Sequence, residues 1–341
     1  MRILAVSHNF LPQLGGIETA ADALTRYWAE SGHEVTVATQ TPGGEAGEGA
    51  IRVLRRPSPR ALLEATRWAD VVWHNHISLR AAWALALAPR PWIVTHQSWL
   101  RRSDGALTPA YRVKRLAARR AHAVAISRSI AADLPVLATV IPNPYRDRLF
   151  RNLGRPRAVE LAFVGRLVSD KGAAILIEAL ALLKGQGRTP RLRMIGEGPE
   201  RERLVAQAGA LGLARQVEFT GPLRDEALVA ALNGANILVV PSLFAEPFGI
   251  VALEGIACGC AVIASSGGGL PEAVGPCGLT FPNGDAPALA ARIAELLADQ
   301  GRRAELLRQA PAHLAQFTPA AIGARYMQLF EECKTKPARS R

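Results

Sequence analysis

The sequence predicts an α/β fold made of two doubly wound parallel-sheet domains in tandem, and three observations carry that prediction. The 341 residues exceed one ordinary domain of about 150 and suit two. Short runs rich in Val, Ile and Leu alternate with longer amphipathic segments, the pattern of βαβ units whose strands are covered on both faces. The series runs twice, interrupted by the basic stretch Tyr145–Arg157 (YRDRLFRNLGRPR), whose Gly and Pro suit a linker.

In the first series the apolar runs place strands at 2–7 (RILAVS), 34–39 (EVTVAT), 70–74 (DVVWH), 91–95 (PWIVT), 122–126 (HAVAI) and 137–141. Residues 17–31 and 108–120 are amphipathic and read as helices between them. The second series places strands at 160–165 (ELAFVG), 191–195 (RLRMI), 216–220 (QVEFT), 236–240 (NILVV) and 260–264 (CAVIA). Residues 1–150 and 158–315 are therefore the expected domains, followed by a helix near 318–333. Gly43–Gly49 reads as a surface loop, and the basic tail after Cys333 as a frayed end. Ligands of open parallel sheets bind at the carboxyl ends of strands, so chemistry is expected there, in a cleft between two facing domains.

Composition narrows the class. With 49% apolar and 21% charged residues the chain is neither disordered nor fibrous. Four cysteines exclude a disulfide scaffold, and Cys258 and Cys260 form a C-x-C with no second pair at zinc spacing. The opening MRILAVSHNF reads as a strand and not a signal peptide, and the longest uncharged stretch, Gly255–Pro271, is too rich in Gly and Ser to span a bilayer. A cytoplasmic protein is expected. Its net charge of +12 is uneven: residues 1–155 hold 21 Lys and Arg against 11 Asp and Glu, and the remainder 20 against 18. An anionic partner is implied for the first half, be it a membrane surface, a nucleic acid or a phosphorylated substrate.

Three segments after strands carry chemistry. Pro12-Gln-Leu-Gly15-Gly16-Ile-Glu18 leads into a helix, where glycines let backbone N–H groups approach a phosphate; an ordinary tight turn is an equal reading. No G-x-G-x-x-G accompanies it, which disfavours a dinucleotide cofactor. Phe163-Val-Gly165-Arg166-Leu-Val-Ser-Asp-Lys171-Gly172 sets a planar guanidinium and a mobile ammonium around one turn, suited to a pyrophosphate. Pro241-Ser-Leu-Phe-Ala-Glu246-Pro-Phe-Gly249-Ile-Val-Ala-Leu-Glu254 spaces two carboxylates eight apart, one where a helix starts and one about two turns along it.

The Glu246–Glu254 pair resembles the E-x7-E signature of the family 4 retaining glycosyltransferases, which have the GT-B fold of two Rossmann-like domains. Residues 161–172, Ile195-Gly-Glu-Gly-Pro199, Phe219-Thr-Gly221, Ala257-Cys-Gly-Cys260 and Gly267-Gly-Gly-Leu-Pro-Glu272 are similar to that family's donor-side segments. The resemblance implies that Arg166 and Lys171 bind the donor diphosphate and that Glu254 binds the ribose. It also assigns Glu246 to the donor sugar and the amides of Gly249, Ile250 and Val251 to phosphate and sugar; Gly15 and Gly16 are expected on the donor from their place at a helix start. His96, in Val94-Thr-His96, matches the family's active-site histidine. The final helix is expected to cross back onto the first domain. Ile141-Pro-Asn143-Pro144 departs from the family's usual I-P-N-G.

His74-Asn-His76 puts two histidines on one strand face, read as an acceptor-side lining, with a core or surface role as the alternative. No D-x-D occurs, so no metal and no cofactor are expected; Arg, Lys and a helix dipole would stabilise the departing diphosphate. All six tryptophans lie in the first 99 residues and read mostly as core, except Trp99 beside Arg101 and Arg102. Arg112, Lys114, Arg115, Arg119 and Arg120 give one helix a basic face, solvated or docked on an anionic membrane. The expected partners are a nucleoside-diphosphate sugar and a glycan or lipid-linked acceptor, with no nucleic acid. A sugar-nucleotide epimerase on the same architecture and a non-catalytic nucleotide-sugar or nucleic-acid binder are the alternatives.

Overall fold

The computed structural model describes residues 1–13, 15–43, 51–102 and 105–335. The segment expected as a loop at Gly43–Gly49 falls, apart from Gly43, outside the described residues, as does the tail beyond Thr335. The chain divides into two compact units, Met1–Tyr145 joined by the segment from Phe317 onward, and Arg146–Gln316.

The first unit is a seven-stranded parallel sheet. Its strands are β1 (Arg2–Ser7), β2 (Glu34–Thr39), β3 (Ile51–Arg55), β4 (Val71–Asn75), β5 (Trp92–His96), β6 (His122–Ala125) and β7 (Thr139–Val140), in the order β3-β2-β1-β4-β5-β6-β7. Ile3 of β1 pairs with Val35 on one side and Val71 on the other. Both faces are covered. Ile3, Ala5, Trp73 and Ile93 pack under the helices Gly16–Glu30 and Pro319–Thr335, while Leu4, Val6 and Val72 meet Leu62 of helix Pro59–Trp68.

Helix Pro319–Thr335 belongs to this unit through specific contacts. Trp28 and Trp73 meet edge to face at 5.0 Å, and Tyr326 packs on both. The Trp73 Nε1–H donates to Thr95 Oγ1 (2.8 Å), which also hydrogen-bonds the Tyr326 hydroxyl (2.7 Å). Buried indole and phenol groups are thereby satisfied, and the aromatic trio adds packing energy beyond its area. Gly323 faces the Tyr27 ring so closely that no side chain fits there.

The second unit is a six-stranded parallel sheet of β8 (Val159–Val164), β9 (Leu192–Ile195), β10 (Val217–Gly221), β11 (Ala235–Val240), β12 (Ala261–Ser265) and β13 (Gly278–Phe281), ordered β10-β9-β8-β11-β12-β13. Its core joins Leu161, Phe163, Met194, Ile237, Val239 and Ile263 to Leu176, Leu180 and Leu183 of helix Ala173–Gly185. Strand order reverses at β1/β4 in one sheet and β8/β11 in the other. These are the switch points where chains diverge above and below a sheet and leave a crevice at the carboxyl ends.

Candidate functional site

In the second unit the chain leaves β8 through Gly165 and Arg166 into a single 3-10 turn, Ser169–Lys171, then helix Ala173–Gly185. It leaves β11 through Pro241–Gly249 into helix Ile250–Ala257. The two loops touch because Gly172, at φ 71°, lies against the Pro241 carbonyl, where a Cβ would collide. The Leu243 N–H donates to the Asp170 carbonyl at 2.8 Å.

This approach sets Lys171 on Glu246. Its ammonium makes a hydrogen-bonded ion pair with Oε1, and Ser242 Oγ donates to the same oxygen at 2.7 Å. The ammonium also stands 5.4 Å over the Phe244 ring. Glu246 is buried, and its carbonyl accepts from the Gly269 N–H at 2.7 Å. Asn283 staples the surroundings: its amide donates to the Ser242 carbonyl (2.9 Å) and its oxygen accepts from the Gly267 N–H (2.8 Å). The Arg166 side chain is exposed, with no hydrogen bond or ion pair among the described residues.

The helix bearing Glu254 begins later than the sequence suggests. Gly249 is its cap, at φ 106°, so the helix starts at Ile250 and Glu254 lies one turn in, not two. Pro247 and the left-handed Gly249 hold Pro241–Gly249 out of helical geometry. The first-turn amides of Ile250 and Val251 have no intrahelical acceptor, the usual condition of a helix start. Burial pushes the Glu254 carboxyl up to about 7, opposed by the Arg146 guanidinium. Arg146 pairs with Asp225 at 2.6 Å and stacks 5.3 Å over Phe150.

In the first unit Gly15, extended at φ −167°, caps helix Gly16–Glu30, and the Glu18 carboxylate lies against it. The helix start thus faces a carboxylate of its own chain. His96 ends β5, fully buried, with neither ring nitrogen hydrogen-bonded among the described residues; burial lowers it to about 4, so it is neutral at pH 7. His74 does not line a surface. It is fully buried, edge-on to the Trp92 ring at 5.4 Å, and desolvation lowers it to about 3. The alternation that suggested a shared face with His76 ends with β4 at Asn75, and His76 follows it at φ 78°. His76 lies beyond the strand and lines a concavity of about 420 Å³ with Ser7, His8, Asn75, Arg80 and Lys114.

The basic segment is less uniform than its sequence. Trp99, set apart from the core tryptophans by its basic neighbours, is half-buried under the Arg101 guanidinium (5.2 Å). Asp133 pairs with Arg101 at 2.9 Å and Arg115 at 3.7 Å. Arg112, Arg119 and Arg120 stay exposed, beside exposed Val113 and Leu116. Among the described residues no helix is long and apolar enough to cross a membrane. None of their His, Cys, Asp or Glu side chains gather in threes that would hold a metal ion.

Comparison with known proteins places the chain. Residues 146–313 match the family profile "Glycosyl transferases group 1", and residues 14–146 match "Glycosyltransferase Family 4". A glycogen synthase of Mycobacterium tuberculosis is 30% identical over 91% of this chain and 90% of its own length. The chain belongs to the group 1 glycosyltransferases. A D-inositol 3-phosphate glycosyltransferase of Corynebacterium jeikeium is 37% identical over 54% of this chain, which spans about half (46%) of that relative's length. HepE of Anabaena, solved with UDP, has the same GT-B fold at 21% identity, with a TM-score of 0.82 over 97% of this chain and 100% of that one.

Within this glycosyltransferase fold, several residues that sequence reasoning passed over hold the site together. Ser242 and Asn283 orient the Glu246 loop, and the Arg146 guanidinium partly offsets the effect of burial on Glu254. In the first unit Gln97 bridges Asn75 (2.7 Å) and Asn143 (3.0 Å), and Asn75 reaches the Ile17 carbonyl (3.0 Å). This buried amide network ties the ends of β4 and β5 to the first helix. Asn143 of the I-P-N-P motif was the one visible signal for it.

Proposed function

We propose that this protein moves a hexosyl group from a nucleoside-diphosphate sugar to a cell-envelope glycan or lipid-linked acceptor, with retention at the anomeric carbon and without a metal ion. The observation that carries the reading is the Lys171–Glu246 pair at the β8/β11 switch point, which brings two segments 75 residues apart into one polar centre. Arg166, Lys171 and the amides of Ile250 and Val251 supply donors for a diphosphate as negative charge grows on it. Preorganised donors of this kind substitute for solvent without reorganisation. Glu246 receives the hydroxyls of the donor sugar and Glu254 those of the ribose. In a same-face displacement the leaving phosphate oxygen takes the acceptor proton, so the chain need supply no base of its own. His96, neutral at pH 7, is suited to hydrogen-bond an uncharged hydroxyl.

The acceptor falls to the first unit, where the charge excess lies. Arg112, Arg119 and Arg120 with Val113 and Leu116 would dock this unit reversibly on the inner face of an anionic membrane, each basic residue adding about 1 kcal/mol. The relatives' names support a sugar-transfer reaction and a hydroxylated acceptor. The deciding experiment is a product assay with a panel of nucleotide sugars. Free nucleotide appearing together with the sugar on a second molecule is expected. Conversion of one nucleotide sugar into another would favour the epimerase reading, and binding without turnover the non-catalytic one.

A further inference from the structure

We propose that the concavity at the β1/β4 switch point is a subsite for a phosphoryl group carried by the acceptor, held by Lys114, Arg80 and the His76 ring. The proposal rests on the acceptor role given above to the first unit and names the chemistry that role would require.

Four features of the concavity point the same way. It lies where strand order reverses in the first sheet, between the ends of β1 (Ser7, His8, Asn9) and β4 (Asn75, His76). Two cations line it, Lys114 and Arg80, and neither has an ion-pair partner among the described residues; Lys114 only stands 5.6 Å over the Tyr111 ring. The one carboxylate on its wall, Glu18, lies against Gly15 at the start of its own helix, so its charge faces that helix terminus. Two unpaired cations facing one such carboxylate leave the cavity in want of an anion.

The fourth feature is His76. It is held at φ 78°, a conformation few side chains adopt, and such strain persists where surrounding bonds over-determine it. Those bonds are visible: its N–H donates to the Thr95 carbonyl (2.8 Å) and its Nδ1 accepts from the Gln97 N–H (3.3 Å). Nδ1 as acceptor fixes the proton on Nε2. Burial, with Lys114 and His96 adding to it, keeps the ring neutral, lowered to about 3. The concavity is thus walled by two cations and one fixed neutral donor, a set that suits a phosphate monoester next to hydroxyls. Asn75, locked by Gln97 and the Ile17 carbonyl, makes the wall rigid.

The test uses the full chain with its preferred nucleoside diphosphate at saturation, so that donor phosphates are already accounted for. Inorganic phosphate and a set of sugar phosphates are titrated while 31P line width is followed. In a second arm, phosphatidylcholine vesicles with and without phosphatidic acid are co-sedimented, with phosphate as competitor. Saturable phosphate binding that weakens tenfold or more in Lys114→Gln and Arg80→Gln, and not in Arg119→Gln, supports a soluble phosphorylated acceptor. Loss, in the same two variants, of the part of vesicle binding that phosphate displaces supports a lipid-linked phosphate. Phosphate binding that vanishes when nucleotide is added to the parent, or that the variants leave unchanged together with vesicle binding, overturns the proposal. Nucleotide affinity, read in the same samples, reports separately on the donor site.

Discussion

Replacing Glu254 by Gln should stabilise the protein above neutral pH and leave it unchanged in acid. Its carboxyl is lifted from 4.5 to about 7, chiefly by burial and against the pull of Arg146. The folded state therefore binds this proton more tightly than the unfolded chain does. No cost exists below pH 4.5; it grows as pH rises and is complete above pH 7. A displacement of that size corresponds to about 3 kcal/mol against the folded ionised form. Gln keeps the shape and carries no charge, so urea unfolding of the second unit should show a gain approaching that figure at pH 8 and almost none at pH 4.5. A ribose diol donating to Glu254 would favour its ionised form. Affinity for a nucleotide sugar, whose diphosphate does not titrate in this range, should therefore rise up to tenfold per pH unit from 5 to 7 and then level off. The dependence should disappear in Glu254→Gln. A variant no more stable than the parent at pH 8, with the same pH profile of binding, would refute the reasoning.

Lys171→Met strands the buried Glu246 carboxylate and should cost about 1–3 kcal/mol, most of it recovered by adding Glu246→Gln; urea denaturation of the two variants measures the coupling. Transfer should persist in excess chelator, since the leaving diphosphate is assigned to Arg166, Lys171 and backbone amides; complete loss restored by a divalent ion would contradict that assignment. Neutralising Arg112, Arg119 and Arg120 together should abolish co-sedimentation with anionic vesicles, which should also weaken steeply with salt because exposed charges are screened over about 8 Å. Equal recovery in the supernatant with anionic and neutral vesicles would remove the membrane reading.

Much of the framework was legible because buried parallel strands are written as uninterrupted apolar runs. RILAVS, EVTVAT and NILVV each became a strand within a residue of the expected limits. IRVLR and GLTF were missed as β3 and β13: the first is interrupted by arginines at its second and last positions, and the second is an edge strand of four residues. The two halves of the donor centre could be named, but not their contact. That contact depends on Gly172 and Pro241 meeting backbone to backbone, which no local pattern encodes. His74 misled for a related reason, since alternation gives the face of a strand and not the depth at which a side chain sits. Ser242, Asn283 and Gln97 were silent because a single polar residue in a loop has no periodicity to betray it.

The central claim is that the β8/β11 switch point binds the donor diphosphate, and calorimetric titration of the preferred nucleoside diphosphate into the parent and Arg166→Ala tests it most directly. The Arg166 side chain is exposed and without a hydrogen bond or ion pair among the described residues, so its removal should leave the fold intact. Loss of a charge-assisted contact worth about 1.5–3 kcal/mol would weaken binding at least tenfold, with unfolding midpoints unchanged. Equal affinity in the two proteins would contradict the account.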